Sequence, residues 1–140
     1  MAGCAGSTAL LRQELAKSNT QTVLAFEETV YNKHEVQEGF EHYVGTTYQQ
    51  HDVASAQSKD AAMRALTQMV GRFPNSHLTV RRTIAQGNMV AVQLQWSPEL
   101  QQVSSVERVD IYRLENGRIV ERWEVAQNTP TAGGSSSTPL

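Results

Sequence analysis

Near its C-terminal end the chain reads VERVDIYRLENGRIVERWEVAQN, two strand-favouring runs on either side of Asn116 and Gly117. Both central residues of a type I′ turn sit at positive φ, which Asn and Gly tolerate best, so this dipeptide is a strong hairpin signal. A two-residue loop also sets register. It pairs Glu115 with Arg118, Leu114 with Ile119, Tyr112 with Glu121, Asp110 with Trp123 and Arg108 with Val125. One face of the hairpin then carries Arg108, Asp110, Tyr112, Leu114, Ile119, Glu121, Trp123, Val125 and Gln127. The other carries Val109, Ile111, Arg113, Val120, Arg122, Glu124 and Ala126. HLTVRRTIAQGNMVAVQLQWSPE reads the same way, as two strands around Gln86, Gly87 and Asn88.

An antiparallel sheet with one strongly apolar face needs a layer to cover it, and the first half of the chain supplies helices. Asn19 is placed to cap a helix on which Val23, Leu24, Phe26, Val30 and Tyr31 form one stripe. Val36, Phe40, Tyr43 and Val44 repeat the spacing, followed by the short polar strand TYQQHD. Ser58 is the expected N-cap of a third helix, with Asp60 in its first turn and Ala62, Met63, Leu66, Met69, Val70 and Phe73 on one side up to Pro74. The resulting class is α+β: three N-terminal helices on one face of a mainly antiparallel sheet.

At 140 residues the chain has the size of one domain with one core. Residues 1–7, rich in small side chains, read as a flexible leader, 8–128 as the domain, and 129–140, with TAGGSSSTPL, as a disordered tail. A net charge of −2 gives no long-range attraction to phosphate or anionic lipid, which argues against a nucleic-acid or membrane partner. The single cysteine, Cys4, has no partner for an internal disulfide, and no signal peptide is evident, so the cytoplasm is the expected compartment. His34, His42 and His77 form no ligand set, and no metal is expected.

The order of elements, and three stretches in particular, are more specific. VLAFEETVYNKHEVQEGFEHYVGTTYQQHD, RTIAQGNMVAVQLQ and VDIYRLENGRIVERWEVAQ resemble the SnoaL-like polyketide cyclases of the nuclear transport factor 2-like superfamily, over about Asn19 to Gln127. The resemblance implies a cone-shaped fold, its sheet curved around a deep pocket, with Tyr48, Gln50 and His51 at the pocket entrance and Asp110 on the sheet opposite. It also implies proton-transfer chemistry on a small hydrophobic carbonyl or aromatic compound, of cyclase, aldol-condensation or isomerase type, with no cofactor. The chain departs from the family pattern at Gln93, Gln95 and Arg122, where relatives often have histidine. An amide or a guanidinium cannot exchange a proton near neutral pH as imidazole does.

On this reading Asp110 is the acid/base, with His51 and Tyr48 orienting or polarising the substrate. Gln50, Trp123, Tyr112, Glu121 and Gln93 line the binding site. A carboxylate on a core-facing strand is costly unless paired or used. The alternative for Asp110 is therefore a structural ion pair with Arg108 or with an arginine of the preceding strands. Two other readings stay open: a non-catalytic pocket or dimerisation module of the same fold, and hydratase or epoxide hydrolase chemistry using a water held by a carboxylate and by Gln93 or Gln95. The second hairpin face, apolar at Val109, Ile111, Val120 and Ala126 among charges, is expected to form a homodimer through the sheet.

Overall fold

The computed structural model describes residues 3–51 and 56–128. The expected tail, 129–140, lies outside the described residues, as do Asp52 and Met1. Helix α1 runs Gly3–Glu27, so most of the expected leader is helical. Asn19 does not cap α1 but lies within it, buried, its side-chain amide donating to the carbonyl of Gly87 at 3.2 Å. The α-helix then widens into a π-helical turn, Glu28–Asn32, closed by the Lys33 amide bonding the Glu28 carbonyl at 3.0 Å. Asn32 clamps the sheet edge from this turn: its side chain accepts from the Leu78 amide at 2.7 Å and donates to the Leu78 carbonyl at 3.2 Å.

Helix α2 spans Val36–Tyr43 and α3 spans Lys59–Arg72. Ser58 caps α3 as expected, its hydroxyl accepting from the Ala61 amide at 3.3 Å. The strands are β1 (Val44–His51), β2 (Ala56–Ser58), β3 (His77–Gln86), β4 (Met89–Ser97), β5 (Val106–Glu115) and β6 (Arg118–Asn128). They form one sheet in the order β2-β1-β6-β5-β4-β3. All described pairings are antiparallel except β1 with β6, which is parallel. The sheet is thus mixed, and it curves over the helices.

The inner face of β4, Val90, Val92, Leu94 and Trp96, packs with Val23, Phe26, Val30 and Phe40 from the helices. Phe26 meets Phe40 edge-on at 5.4 Å and Tyr112 at 6.1 Å, joining α1, α2 and β5 in one aromatic cluster. Burying one such side chain contributes about 1.5–3 kcal/mol, and this alternation is what holds the sheet to its cover.

The last hairpin turns where expected. Asn116 and Gly117 have φ of 51° and 74°, and Glu115 pairs with Arg118 and Leu114 with Ile119. Beyond that the expected register is overturned. A β-bulge between Arg113 and Leu114 leaves Val120 as an extra residue on β6. Arg113 then pairs with Glu121, Tyr112 with Arg122, Ile111 with Trp123, Asp110 with Glu124 and Arg108 with Ala126. Because side chains alternate, one inserted residue reverses the rest of β6: Arg122 and Glu124 turn to the helices, while Glu121, Trp123 and Val125 turn away. The physical reason lies at Val120, which is itself buried beside Gly45 on β1. Two consecutive apolar residues, Ile119 and Val120, are both buried, and the bulge lets both avoid solvent in a sheet with helices on one face.

Candidate active site

The inner face of the cone carries a cluster of charges. Asp110 on β5 is fully buried and points inward, as the hairpin implied, but it is closed between two guanidinium groups. Arg122 Nη2 donates to Asp110 Oδ2 at 2.6 Å. Arg108 Nε stands 2.8 Å from Oδ1, in charge contact but off the hydrogen-bond direction. The structural alternative for Asp110, an ion pair with Arg108, is therefore present and reinforced from β6. Arg122 Nη2 also donates to Tyr31 Oη at 2.8 Å and Glu124 Oε2 at 3.2 Å, while Arg108 Nη1 lies 3.6 Å from the same Glu124 oxygen. Glu124 thus closes a carboxylate–guanidinium–carboxylate set, and its side chain keeps 27% of its surface exposed.

Below this set Tyr112 Oη forms a short hydrogen bond to Glu27 Oε1 and lies 3.4 Å from Asp110 Oδ2. Tyr31 is stacked under both cations, with Arg108 Cζ 4.9 Å and Arg122 Cζ 5.7 Å from its ring centre. Tyr48 Oη donates to Gln50 Oε1 at 2.9 Å, both residues being buried on the same inner face.

Electrostatics follows from these distances. Burial would raise the Asp110 carboxyl, but the attraction of Arg108 and then Arg122 outweighs it and holds the group below the usual carboxylate range. Glu27 goes the other way. Burial and the nearby charge of Asp110 push it up to about 7, against weaker lowering by Arg122, Arg108 and the Tyr112 bond. The Tyr48 and Tyr112 phenols are raised chiefly by burial and stay protonated, as hydrogen-bond donors. Among the described residues Arg122 Nε and Nη1, Arg108 Nη2 and Glu27 Oε2 are buried with no hydrogen-bond partner. Buried guanidinium donors are costly to leave unmet.

Of the residues singled out from the sequence, Asp110, Tyr48, Gln50 and Tyr112 meet in this interior. His51, Trp123, Glu121 and Gln93 do not: they face the opposite side of the sheet. There His51 Nε2 lies 3.1 Å from Glu121 Oε2, and its ring stacks on Trp123 with centroids 5.1 Å apart and planes at 10°. Arg113 Nε donates to the other Glu121 oxygen at 3.0 Å, and the Gln95 oxygen accepts from Arg81 at 2.9 Å. His51 and Asp110 therefore share no cavity. A hollow of ≈170 Å³ is lined by residues 107–109 of β5 and 125–127 of β6, with Gln93 of β4.

Three interior residues escaped sequence reasoning. A simple two-residue hairpin register turns Arg122 and Glu124 outward, and the bulge reverses them; the doublet Ile119-Val120, which interrupts an otherwise alternating strand, is the signal for it. Glu27 sits four residues after Val23 and four before Tyr31, within the apolar stripe of α1, where its charge was the only signal. Among the described residues no group of three or more His, Cys, Asp or Glu side chains is arranged to hold a metal ion, and no helix is long and apolar enough to cross a membrane.

Comparison with known proteins places this geometry. The family model for the SnoaL-like polyketide cyclases matches residues 21–132. The chain belongs to the SnoaL-like polyketide cyclase family. No curated protein matches it. Solved structures similar to this SnoaL-like chain include AclR, a candidate hydroxylase from Streptomyces galilaeus, with TM-score 0.68 and 17% identity over 80% of this chain and 90% of that one. IdmH, a candidate polyketide cyclase from Streptomyces antibioticus, has TM-score 0.65 and 17% identity over 77% and 91%. An epoxide hydrolase of M. tuberculosis, of the type abbreviated LEH, has TM-score 0.67 and 16% identity over 80% and 84%. At these identities the likeness fixes the fold alone, which in the SnoaL-like chain is the α+β, nuclear transport factor 2-like cone.

Proposed function

We propose that the chain is a small enzyme that carries out proton-transfer chemistry on a hydrophobic carbonyl compound inside the cone, of cyclase, aldol-condensation or isomerase type, with no cofactor. The observation that carries this reading is the pair of buried arginines, fixed by Asp110, whose remaining N–H groups have no partner among the described residues. Donors held in place before reaction stabilise a developing enolate oxygen at little reorganisation cost. The roles differ from those expected. Asp110, held as an anion by two cations, is a weak base and serves to position Arg108 and Arg122. Glu124, the carboxylate of the set that reaches solvent, is the group able to take a proton from substrate carbon. Tyr48 and Gln50 form a buried polar pair, with Phe40 packed edge-on against the Tyr48 ring.

A second reading has its own support. Two carboxylates bridged by one arginine, beside a tyrosine–glutamine pair, also suit the addition of water to an epoxide: one carboxylate activates water while the arginines stabilise the leaving oxygen. The similar fold of an epoxide hydrolase is consistent with it.

The test is a screen of polyketide-like aromatic ketones for exchange of α-hydrogen in deuterated water, alongside aromatic and terpenoid epoxides in ¹⁸O-water. On the leading reading exchange occurs and Glu124→Gln lowers it by about 10²–10⁴-fold. Epoxide opening with ¹⁸O incorporation and no exchange would select the second reading. Rates equal to wild type in both Glu124→Gln and Asp110→Asn would remove the interior cluster from catalysis and leave a binding or dimerisation module.

A further inference from the structure

The interior cluster balances its charges in a way that leaves one residue to decide the sum. Arg108 and Arg122 carry two positive charges, and Asp110 and Glu124 two negative ones. Glu27 is the fifth ionisable group. It is brought in from the helical layer by the last turn of α1, where the π-helical turn begins. It is buried, bonded through Oε1 to Tyr112, and its Oε2 has no partner among the described residues. A buried carboxylate oxygen without a donor is unfavourable, whereas a protonated one removes the charge that made it so. Tyr112 Oη also lies 3.4 Å from Asp110 Oδ2, so two carboxyls share one phenol deep in the site, and like charges so placed resist ionising together.

We infer that Glu27 is a charge-setting residue of the interior site: neutral, it leaves the cluster balanced and able to receive a developing oxyanion at the free N–H groups of Arg108 and Arg122, and ionised, it gives the cluster a net negative charge that repels one. The inference rests on the interior being the reacting site, and adds to that reading the group that switches it off at higher pH. Glu27 acts through the arginines and Tyr112 and does not itself reach substrate. The ionisable groups facing it are Tyr31 from the π-helical turn, Arg108, Asp110 and Tyr112 from β5, and Arg122 from β6. The upward push on Glu27 to about 7 puts the switch in the neutral range.

The stability sign follows. A carboxyl raised in the folded state contributes stability that is fully present below its unfolded value, 4.5, and is lost as pH rises through about 7. The test is carbon NMR on protein labelled at the glutamate carboxyl carbons, comparing wild type with Glu27→Gln and Tyr112→Phe. One resonance, missing in Glu27→Gln, is expected to titrate near 7. In Tyr112→Phe, which loses a hydrogen bond to the ionised form, it moves higher. Thermal unfolding of wild type is expected to weaken between pH 4.5 and 7, and Glu27→Gln to remove that part of the slope. Should the Glu27→Gln protein fold poorly, the Tyr112→Phe shift still decides. Glutamates all titrating in the ordinary carboxyl range would overturn the inference. None of these measurements needs a substrate, so their failure is distinguishable from a failure of the catalytic reading. Once a substrate is in hand, the fall in kcat/KM above pH 7 must disappear in Glu27→Gln, and an unchanged profile would equally overturn it.

Discussion

Arg122 is fully buried, and one of its terminal nitrogens reaches Tyr31, Asp110 and Glu124 together. Such a cation is tolerable inside a protein because its partners are also there, and removing it strands them. Arg122→Met is therefore expected to destabilise the fold by roughly 3–5 kcal/mol, the usual cost of leaving a buried charge without its partner, read as a lower urea midpoint. Arg122→Lys keeps the charge but not the planar fork, so its midpoint falls between the two. On the outer face the His51–Trp123 stack is half-buried, and Glu121, which burial alone would raise, is held below the carboxylate norm by bonds from Arg113 and His51. Those contacts organise the side of the sheet opposite Asp110.

The elements are joined by close approaches that composition does not reveal. Gly39 on α2 is one: a Cβ there would stand 2.6 Å from Val30 Cγ2 and 3.6 Å from Thr29 Cγ2, both on the π-helical turn. Gly71 on α3 has nothing within 4 Å of the same position. The two glycines make a controlled pair. Gly71→Ala is expected to stabilise by roughly 0.5–1 kcal/mol through helix propensity alone. Gly39→Ala gains the same propensity but overpacks a full core, a cost of about 1–3 kcal/mol, so its denaturation midpoint should fall below wild type. If both substitutions stabilised equally, α2 would not pack against that turn as described.

At the scale of the molecule, the sheet is covered on one side by helices and bare on the other. We propose that a second copy covers the bare side. Ile84 and Val125 are 70% and 62% exposed there, next to Ile111, Val109 and Ala91. Arg82 and Arg113 stand on the same face as Glu107 and Glu121, so the face carries both signs of charge and can be self-complementary about a twofold axis. Edge-to-edge pairing is disfavoured on β3 by its bulge and by the adjacent Arg81 and Arg82. Light scattering after size exclusion should give a dimer, and Val125→Lys combined with Ile84→Lys should give a monomer with an unchanged far-ultraviolet spectrum. A wild-type monomer at micromolar concentration would sink this arrangement.

What the residues determined alone is local: the Asn116-Gly117 turn, the Ser58 cap, the helix stripes and the inward aim of Asp110 all follow from φ preferences and from periods of two and 3.6. Those rules act within a few residues and gave the order of helices and strands, while the family resemblance came from the particular residues of three stretches. The polar interior was decided elsewhere. The bulge at Val120 exists because Gly45 on β1 leaves a place for that side chain, a contact about 75 residues apart in the chain. It moved Arg122 and Glu124 inward and sent Glu121 and Trp123 to the far face with His51. Glu27 likewise became part of the site only when α1 met β5. Side-chain direction past an inserted residue depends on what the neighbouring strand and helix accept, and that is settled by packing in three dimensions.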